Sequence, residues 1–176
     1  MSPQRKSKPS LPTIHWSLVL PLLAVSCGNF PPLGPPPDGN TEPDLAAITT
    51  VVKDVYRSEG QRRIIFLGTD EPEAFGANTL AQARSQLEDD LGVTVRPESE
   101  ADRTDLSLPA LTPVLPETGE MGISISLARF RLDEAGNLRV QVTFARSGLD
   151  GAVLEYVLTL GEQGWTIIDR IGLGVA

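Results

Sequence analysis

The fold is indicated most clearly by Leu138-Arg139-Val140-Gln141-Val142-Thr143-Phe144, in which apolar and polar residues alternate without interruption. Such alternation is typical of a β-strand with one buried face and one solvated face. One sheet face must therefore be covered by other parts of the chain, and the sequence on either side indicates which parts these are.

Three further strands are predicted beside this one. Apolar residues recur over 123–132, 152–160 and 165–171, and turn-forming sequences lie between the runs at 133–137, 147–151 and 161–164. Four sequential strands joined by short turns predict an antiparallel meander. Within 123–132 the apolar residues change phase, which predicts a bulge near Ala128-Arg129.

The sequence before the meander predicts helices. Leu45, Ile48, Val52 and Val55 repeat at helical spacing up to Gly60. A short strand is predicted at 62–68 and a second helix from Asn78 to Gly92, with a possible strand at Val93-Thr94-Val95. The following residues, 96–119, are rich in proline and acids, and we interpret them as an exposed loop.

This order of elements predicts one α+β domain over residues 44–176. Its N-terminal helices would pack on a curved antiparallel C-terminal β-meander of about four strands. The final-strand sequence Gly164-Trp165-Thr166-Ile167-Ile168 resembles that of cystatin-like and nuclear transport factor-like α+β rolls. That resemblance implies a bent sheet wrapped around a helix, which defines a shape and leaves the activity open.

The first 26 residues have the layout of an export signal. Arg5, Lys6 and Lys8 precede the apolar stretch 18–25, and residues 1–26 contain no acid. The apolar part is about a dozen residues long, whereas a membrane-spanning helix needs roughly 20. We therefore predict a cleaved signal peptide over 1–26.

The signal ends in Leu23-Ala24-Val25-Ser26-Cys27-Gly28, which contains the single cysteine of the chain. This sequence resembles the lipobox of bacterial lipoproteins. The resemblance implies that the Cys27 sulfur receives diacylglycerol, that the preceding bond is cut, and that the new amino terminus gains an acyl chain such as palmitate. Because Gly28 is not Asp, it also implies the outer membrane if the cell has two. The alternative is an ordinary signal followed by an unmodified thiol.

Residues 27–43 form a predicted tether between the lipid and the domain. Six of the 16 residues from Gly28 to Pro43 are proline and three are glycine. Proline-rich chain favours the extended polyproline II conformation, so this segment would reach roughly 50 Å. An alternative is a proline-rich ligand for a partner protein.

Charge and composition exclude several functions. The net charge is −8, and removing 1–26 leaves 12 basic and 23 acidic residues, near −11, which argues against nucleic-acid binding. The removed segment also contains the single histidine, His15. A mature chain without histidine and with a lipidated cysteine has no Ser-His-Asp or Cys-His nucleophile and no histidine-ligated metal centre. We predict no cofactor and no metal.

Candidate binding residues lie in the predicted sheet. Arg129 and Arg139 could face an anion from the sheet, and Tyr156 and Trp165 could line a ligand cavity between helix and sheet. The alternatives are cross-strand charge pairs for the arginines and core packing for the aromatic residues.

Carboxylates offer weaker candidates. Asp70 follows an apolar strand in Gly68-Thr69-Asp70, a place where α/β enzymes carry catalytic carboxylates, although aspartate is also a turn former there. Glu98, Glu100 and Asp102 could gather a cation, against the alternative of a solvated acidic loop.

These observations predict an exported lipoprotein that is anchored to the cell envelope and has a non-catalytic binding or structural role. Its partners would be the membrane, through lipid on Cys27, and a protein or a small apolar ligand. Two alternatives stay open: an immunity or inhibitor protein that opposes a basic enzyme, and a hydrolase that uses carboxylates alone. Enzymatic activity is left undecided.

Overall fold

The structure is a computed structural model and describes residues 44–60, 62–75, 78–104 and 111–175. The predicted signal peptide 1–26 and the tether 27–43, with Cys27, lie outside the described residues. The helices and strands of the described part are α1 (Leu45–Ser58), β1 (Ile64–Thr69), α2 (Thr79–Leu91), β2 (Thr94–Pro97), β3 (Ile123–Leu132), β4 (Leu138–Ser147), β5 (Asp150–Gly161) and β6 (Gly164–Val175).

The domain is α+β, and its strands form one mixed sheet in the order β2-β1-β3-β4-β5-β6. Strands β3 to β6 pair antiparallel with their neighbours, as the meander prediction requires. Strand β1 lies parallel to both β2 and β3. The prediction of about four strands was therefore too low, because the sheet described here has six.

The helices cover one face of the sheet, which we call the helix face. Apolar side chains from both helices and from five strands meet there in a single core that includes Ile48, Leu87, Ile125, Val140 and Tyr156. The apolar positions of 138–144 belong to this core, and the polar positions of the same stretch are half-buried on the opposite face of the sheet. The alternation in β4 thus shows which face of the sheet packs against the helices.

Helix α1 begins at a carboxylate that serves two elements. Asp44 Oδ1 accepts the backbone N–H of Ala46 at 2.8 Å, which caps the helix, and Asp44 Oδ2 accepts the indole N–H of Trp165 at 2.7 Å. Trp165 is the second residue of β6. The start of α1 is therefore held beside the start of the last strand.

The predicted bulge is confirmed in β3. The register between β3 and β4 shifts between Ala128 and Arg131, and Arg129 has a φ of 56°, a left-handed conformation that non-glycine residues rarely adopt. The Arg129 backbone N–H donates to Glu71 Oε2 at 3.0 Å, which ties the bulge to the segment after β1.

In the segment after β2, the described residues 98–104 and 111–122 do not form the wholly exposed loop that was predicted. A short 3-10 turn at Glu98–Glu100 is followed by isolated bridges that join Asp102 to Val114 and Val114 to Met121. Thr112 and Val114 are buried. Where it is described, this segment covers part of the opposite face of the sheet, next to β1 and β3.

Strand β6 forms one edge of the sheet and is exposed along most of its length. Its pairing with β5 is interrupted by two bulges, at Ile168 and Leu173, and these side chains are 54% and 51% exposed. Bulges bend an edge strand and make it a poorer template for pairing with another chain. Within the described residues, no helix has the length and apolarity to cross a membrane.

Candidate functional site

The predicted binding residues do not form a common site. Tyr156 is fully buried on the helix face, and its hydroxyl donates to Asp54 Oδ2 of α1 at 2.9 Å. Trp165 is bonded to Asp44 at the end of the sheet. Arg129 is exposed at the bulge of β3, and Arg139 lies on the opposite face from Tyr156.

Arg139 belongs to a network of charge pairs, as the alternative interpretation expected. It contacts Glu155 Oε1 at 2.6 Å and Asp133 Oδ2 at 3.2 Å, and Arg131 contacts Glu155 Oε2 at 3.0 Å. The hydrogen bond to Glu155 raises the pKa of Arg139. Because each carboxylate already has a guanidinium partner, this network stabilises the sheet surface and leaves little charge for a ligand.

The carboxylates of the sequence prediction are also engaged. Ser126 Oγ donates to Asp70 Oδ1 at 2.9 Å. Asp102 accepts hydrogen bonds from the hydroxyl and the backbone N–H of Thr104, which lower the pKa of its carboxyl. Among the described residues, no group of three or more His, Cys, Asp or Glu side chains has an arrangement that could hold a metal ion.

A crevice of about 430 Å³ lies instead at the carboxyl ends of β1 and β2. Its lining comes from the two strand ends, from α2 and from the segment after β2: Leu67, Gly68, Thr69, Leu80, Arg84, Pro97, Glu98, Ser99 and Arg103. The volume is within the roughly 300–1,000 Å³ typical of small-molecule sites.

The topology of the sheet creates this crevice. After β1 the chain passes to α2, whose Ala83 and Leu87 pack on the helix face. After β2 the chain turns to the opposite face, where Glu98 Oε1 accepts a hydrogen bond from Ser124 Oγ at 2.7 Å. Two adjacent parallel strands whose exits diverge to opposite faces leave an opening outside their carboxyl ends, the usual ligand position in open sheets of parallel strands.

One residue at the end of each strand, Thr69 in β1 and Pro97 in β2, helps to end the strand there. The Thr69 hydroxyl donates to the Leu127 carbonyl at 2.7 Å and accepts the Glu71 backbone N–H at 3.0 Å, so it is fully used at the end of β1. Strand β2 ends at Pro97, which has no N–H to continue a ladder.

Gly68 permits the closest approach at the floor of the crevice. A Cβ atom at this position would lie 2.4 Å from Glu98 Oε2 and 2.7 Å from Glu98 Cβ. Only glycine therefore lets the segment after β2 pack this closely against β1. The sequence predicted a candidate site after the short apolar strand, at Gly68-Thr69-Asp70. It did not identify Arg84, Ser99 and Arg103 as candidate site residues.

The charges of the crevice are unevenly compensated. Arg103 donates to Glu98 Oε1 at 2.9 Å and to Ser124 Oγ at 2.8 Å, so the charges of Arg103 and Glu98 offset each other. Arg84 is half-buried and makes no ion pair with any described residue. Glu88, one helical turn further on, is held by the backbone N–H of Val95 at 2.9 Å. Within the part of the chain that the structure describes, Arg84 is therefore the one charged lining residue without an ion-pair partner.

No family model, no curated protein and no solved structure matches the chain. The functional conclusion therefore depends on the residues themselves.

Proposed function

We propose that this protein is an exported lipoprotein, anchored to the cell envelope through lipid on Cys27, whose α+β domain binds a small organic ligand without catalysis. The anchor is supported by the resemblance of Leu23-Ala24-Val25-Ser26-Cys27-Gly28 to a lipobox. Two or more acyl chains hold a protein stably at a bilayer, whereas one chain binds only marginally.

The observation that carries the binding role is the crevice between the diverging exits of β1 and β2. It combines apolar walls from Leu80 and Pro97 with a few polar groups, as small-molecule sites generally do. It is also built on strand ends and a helix, which hold its walls in fixed positions.

The bonding of its polar groups favours binding over catalysis. The Thr69 hydroxyl is bonded on both sides to backbone, and the Glu98 carboxylate is bonded to Arg103 and Ser124. A catalytic hydroxyl must donate its proton to a base, whereas the Thr69 hydroxyl donates to the Leu127 carbonyl. These two groups act as structural supports for the walls.

The binding role is tested with a library of neutral and charged fragments, followed by NMR of the leucine methyl groups. We expect bound fragments to shift the Leu67 and Leu80 methyl signals and Leu80→Trp, which fills the crevice, to abolish the binding. Leu149→Trp is the matched control, since Leu149 lies in the β4–β5 turn and is 89% exposed. Fragments that bind equally well to Leu80→Trp would refute a site in the crevice.

The anchor is tested separately in cells supplied with a labelled fatty acid. We expect label on the wild type and on the control Ser26→Ala, and neither label nor membrane retention for Cys27→Ala. A Cys27→Ala protein that stays in the membrane fraction, or a wild type without label, would show that the thiol does not carry the anchor.

A further inference from the structure

We infer that the ligand of the crevice is a small organic monocarboxylate, with its carboxylate on Arg84 and its apolar part against Leu80 and Pro97. This inference depends on the proposed function, because it names the chemical class that the same crevice takes.

The position of Arg84 supports the carboxylate. Its guanidinium lines the crevice, is half-buried, and has no ion pair among the described residues. The nearest acidic residue of α2, Glu88, accepts a hydrogen bond from the backbone N–H of Val95 and makes no ion pair with Arg84. A guanidinium offers paired N–H donors that match the two oxygens of a carboxylate, and partial burial strengthens that contact.

The other charged groups limit the ligand to one negative charge. Glu98 lies in the same crevice, and its charge is offset by Arg103 at 2.9 Å. A dianion such as a phosphomonoester would bring a second negative charge towards Glu98 with no second free cation among the lining residues. A cationic ligand would meet Arg84 directly and would be repelled.

The spacing on α2 supports an apolar group next to the carboxylate. Leu80 and Arg84 are four residues apart and therefore lie on the same helix face, with Cβ atoms about 6 Å apart. Pro97 of β2 continues the apolar wall, and the fully buried Leu67 of β1 lies next to it. An acid with a short apolar body can contact both parts of the crevice at once.

Ser99 is a further hydrogen-bond donor among the lining residues. Its hydroxyl lines the crevice and has no hydrogen bond to a described residue, unlike the Thr69 hydroxyl, which is used by the backbone. We expect it to donate to the second carboxylate oxygen and to make a smaller contribution than the charged partner.

The inference is tested with phenylacetate and its neutral isostere phenylacetamide as probes of the folded domain. Binding is measured by the shifts of the Leu67 and Leu80 methyl signals over a titration to about 10 mM. We expect phenylacetate to bind at least about ten times more tightly than the amide, and Arg84→Gln to remove that difference. The matched control Arg57→Gln removes an exposed arginine of α1 that does not line the crevice, and should leave both affinities unchanged.

The outcomes separate this inference from the proposed function. If phenylacetate and phenylacetamide bind with equal affinity, and Leu80→Trp abolishes the binding of both, the crevice is a ligand site and the carboxylate inference is wrong. If Arg84→Gln leaves phenylacetate binding unchanged, Arg84 is not its partner. If neither probe binds at about 10 mM, the monocarboxylate inference is rejected, and the fragment library alone decides the binding role. Arg84→Lys keeps the charge without the paired donors and should give an intermediate affinity.

Discussion

The hydroxyl of Tyr156 donates a hydrogen bond of 2.9 Å to Asp54 Oδ2, joining the middle of β5 to α1 across 102 positions of the chain. Arg170 of β6 lies over the same ring, 5.8 Å from its centroid, and pairs with Glu59 at the end of α1. A single buried phenol thus connects the first helix to the last two strands of the meander.

Replacing Tyr156 by Phe should lower the free energy of unfolding by about 1–2 kcal/mol, because the packing is kept and a hydrogen bond to a charged acceptor is lost. Tyr56→Phe is the matched control: Tyr56 is also a buried tyrosine of the core, and its hydroxyl has no hydrogen bond to a described residue. Urea unfolding of the three proteins measures the difference. Equal losses for the two variants would contradict a stabilising role for the bond to Asp54.

Alkaline pH should weaken the fold through the same residue. Burial, reinforced by the hydrogen bond to Asp54, raises the pKa of Tyr156 above its ordinary value. The unfolded chain releases this proton near pH 10, while the folded chain keeps it. The stabilisation is therefore complete below about pH 10 and is lost as the pH rises further, by up to about 1.4 kcal/mol per pH unit.

The measurement is urea unfolding at a series of pH values from neutral to strongly alkaline. We expect the stability of the wild type to fall more steeply above pH 10 than that of Tyr156→Phe, which lacks the titrating group. Parallel curves for the two proteins would mean that Tyr156 does not cause the loss.

Gly68→Ala should destabilise the domain by about 1–3 kcal/mol, because the added Cβ would overlap Glu98 and displace the segment after β2. It should also weaken any binding in the crevice, since Glu98 and Arg103 move together. Gly172→Ala is the control: Gly172 is likewise a strand glycine, and a Cβ there meets no atom within 4 Å. Thermal unfolding that shows the two variants to be equally stable would contradict the close approach.

The exposed edge strand makes a prediction about solubility. Ile168→Lys combined with Leu173→Lys should raise the concentration at which the domain aggregates, because the lysines replace exposed apolar side chains at the two bulges of β6. Stability should change by less than about 0.5 kcal/mol, as is usual for exposed positions. Leu149→Lys removes a leucine that is even more exposed but lies away from the edge, and it should have little effect. Light scattering during concentration distinguishes the two variants.

The meander was predictable because its signals are local. The alternation in β4 and the turn sequences at 133–137 and 161–164 lie next to each other in the chain, and antiparallel neighbours pair across short turns. The change of phase near Ala128 likewise indicated the bulge. Helix α2 was predicted to end at Gly92, and it does so through a left-handed glycine with a φ of 66°.

The parallel part of the sheet was harder to predict because its pairing is not local. Ile65 pairs with Val95 on one side and with Ile123 on the other, and no periodic signal connects these positions. Strand β2 has only four residues, two of which are Arg and Pro, so its sequence is typical of a loop. The crevice depends on this pairing, and for that reason its lining residues were not recognised as a group.

The apolar residues that recur over 165–171 do not all lie on one face of β6. Trp165 and Ile167 pack against the core, but Ile171 is 36% exposed, because β6 is an edge strand whose bulges shift the phase of its side chains. Alternation shows that a strand has two different faces, but it does not show whether a second strand or a helix covers them.

The carboxylate of Asp44 has a mechanical consequence. Any tension transmitted along the preceding residues enters the described domain at Asp44, which is bonded to α1 through Ala46 and to β6 through Trp165. The force is therefore shared between the first helix and the last strand.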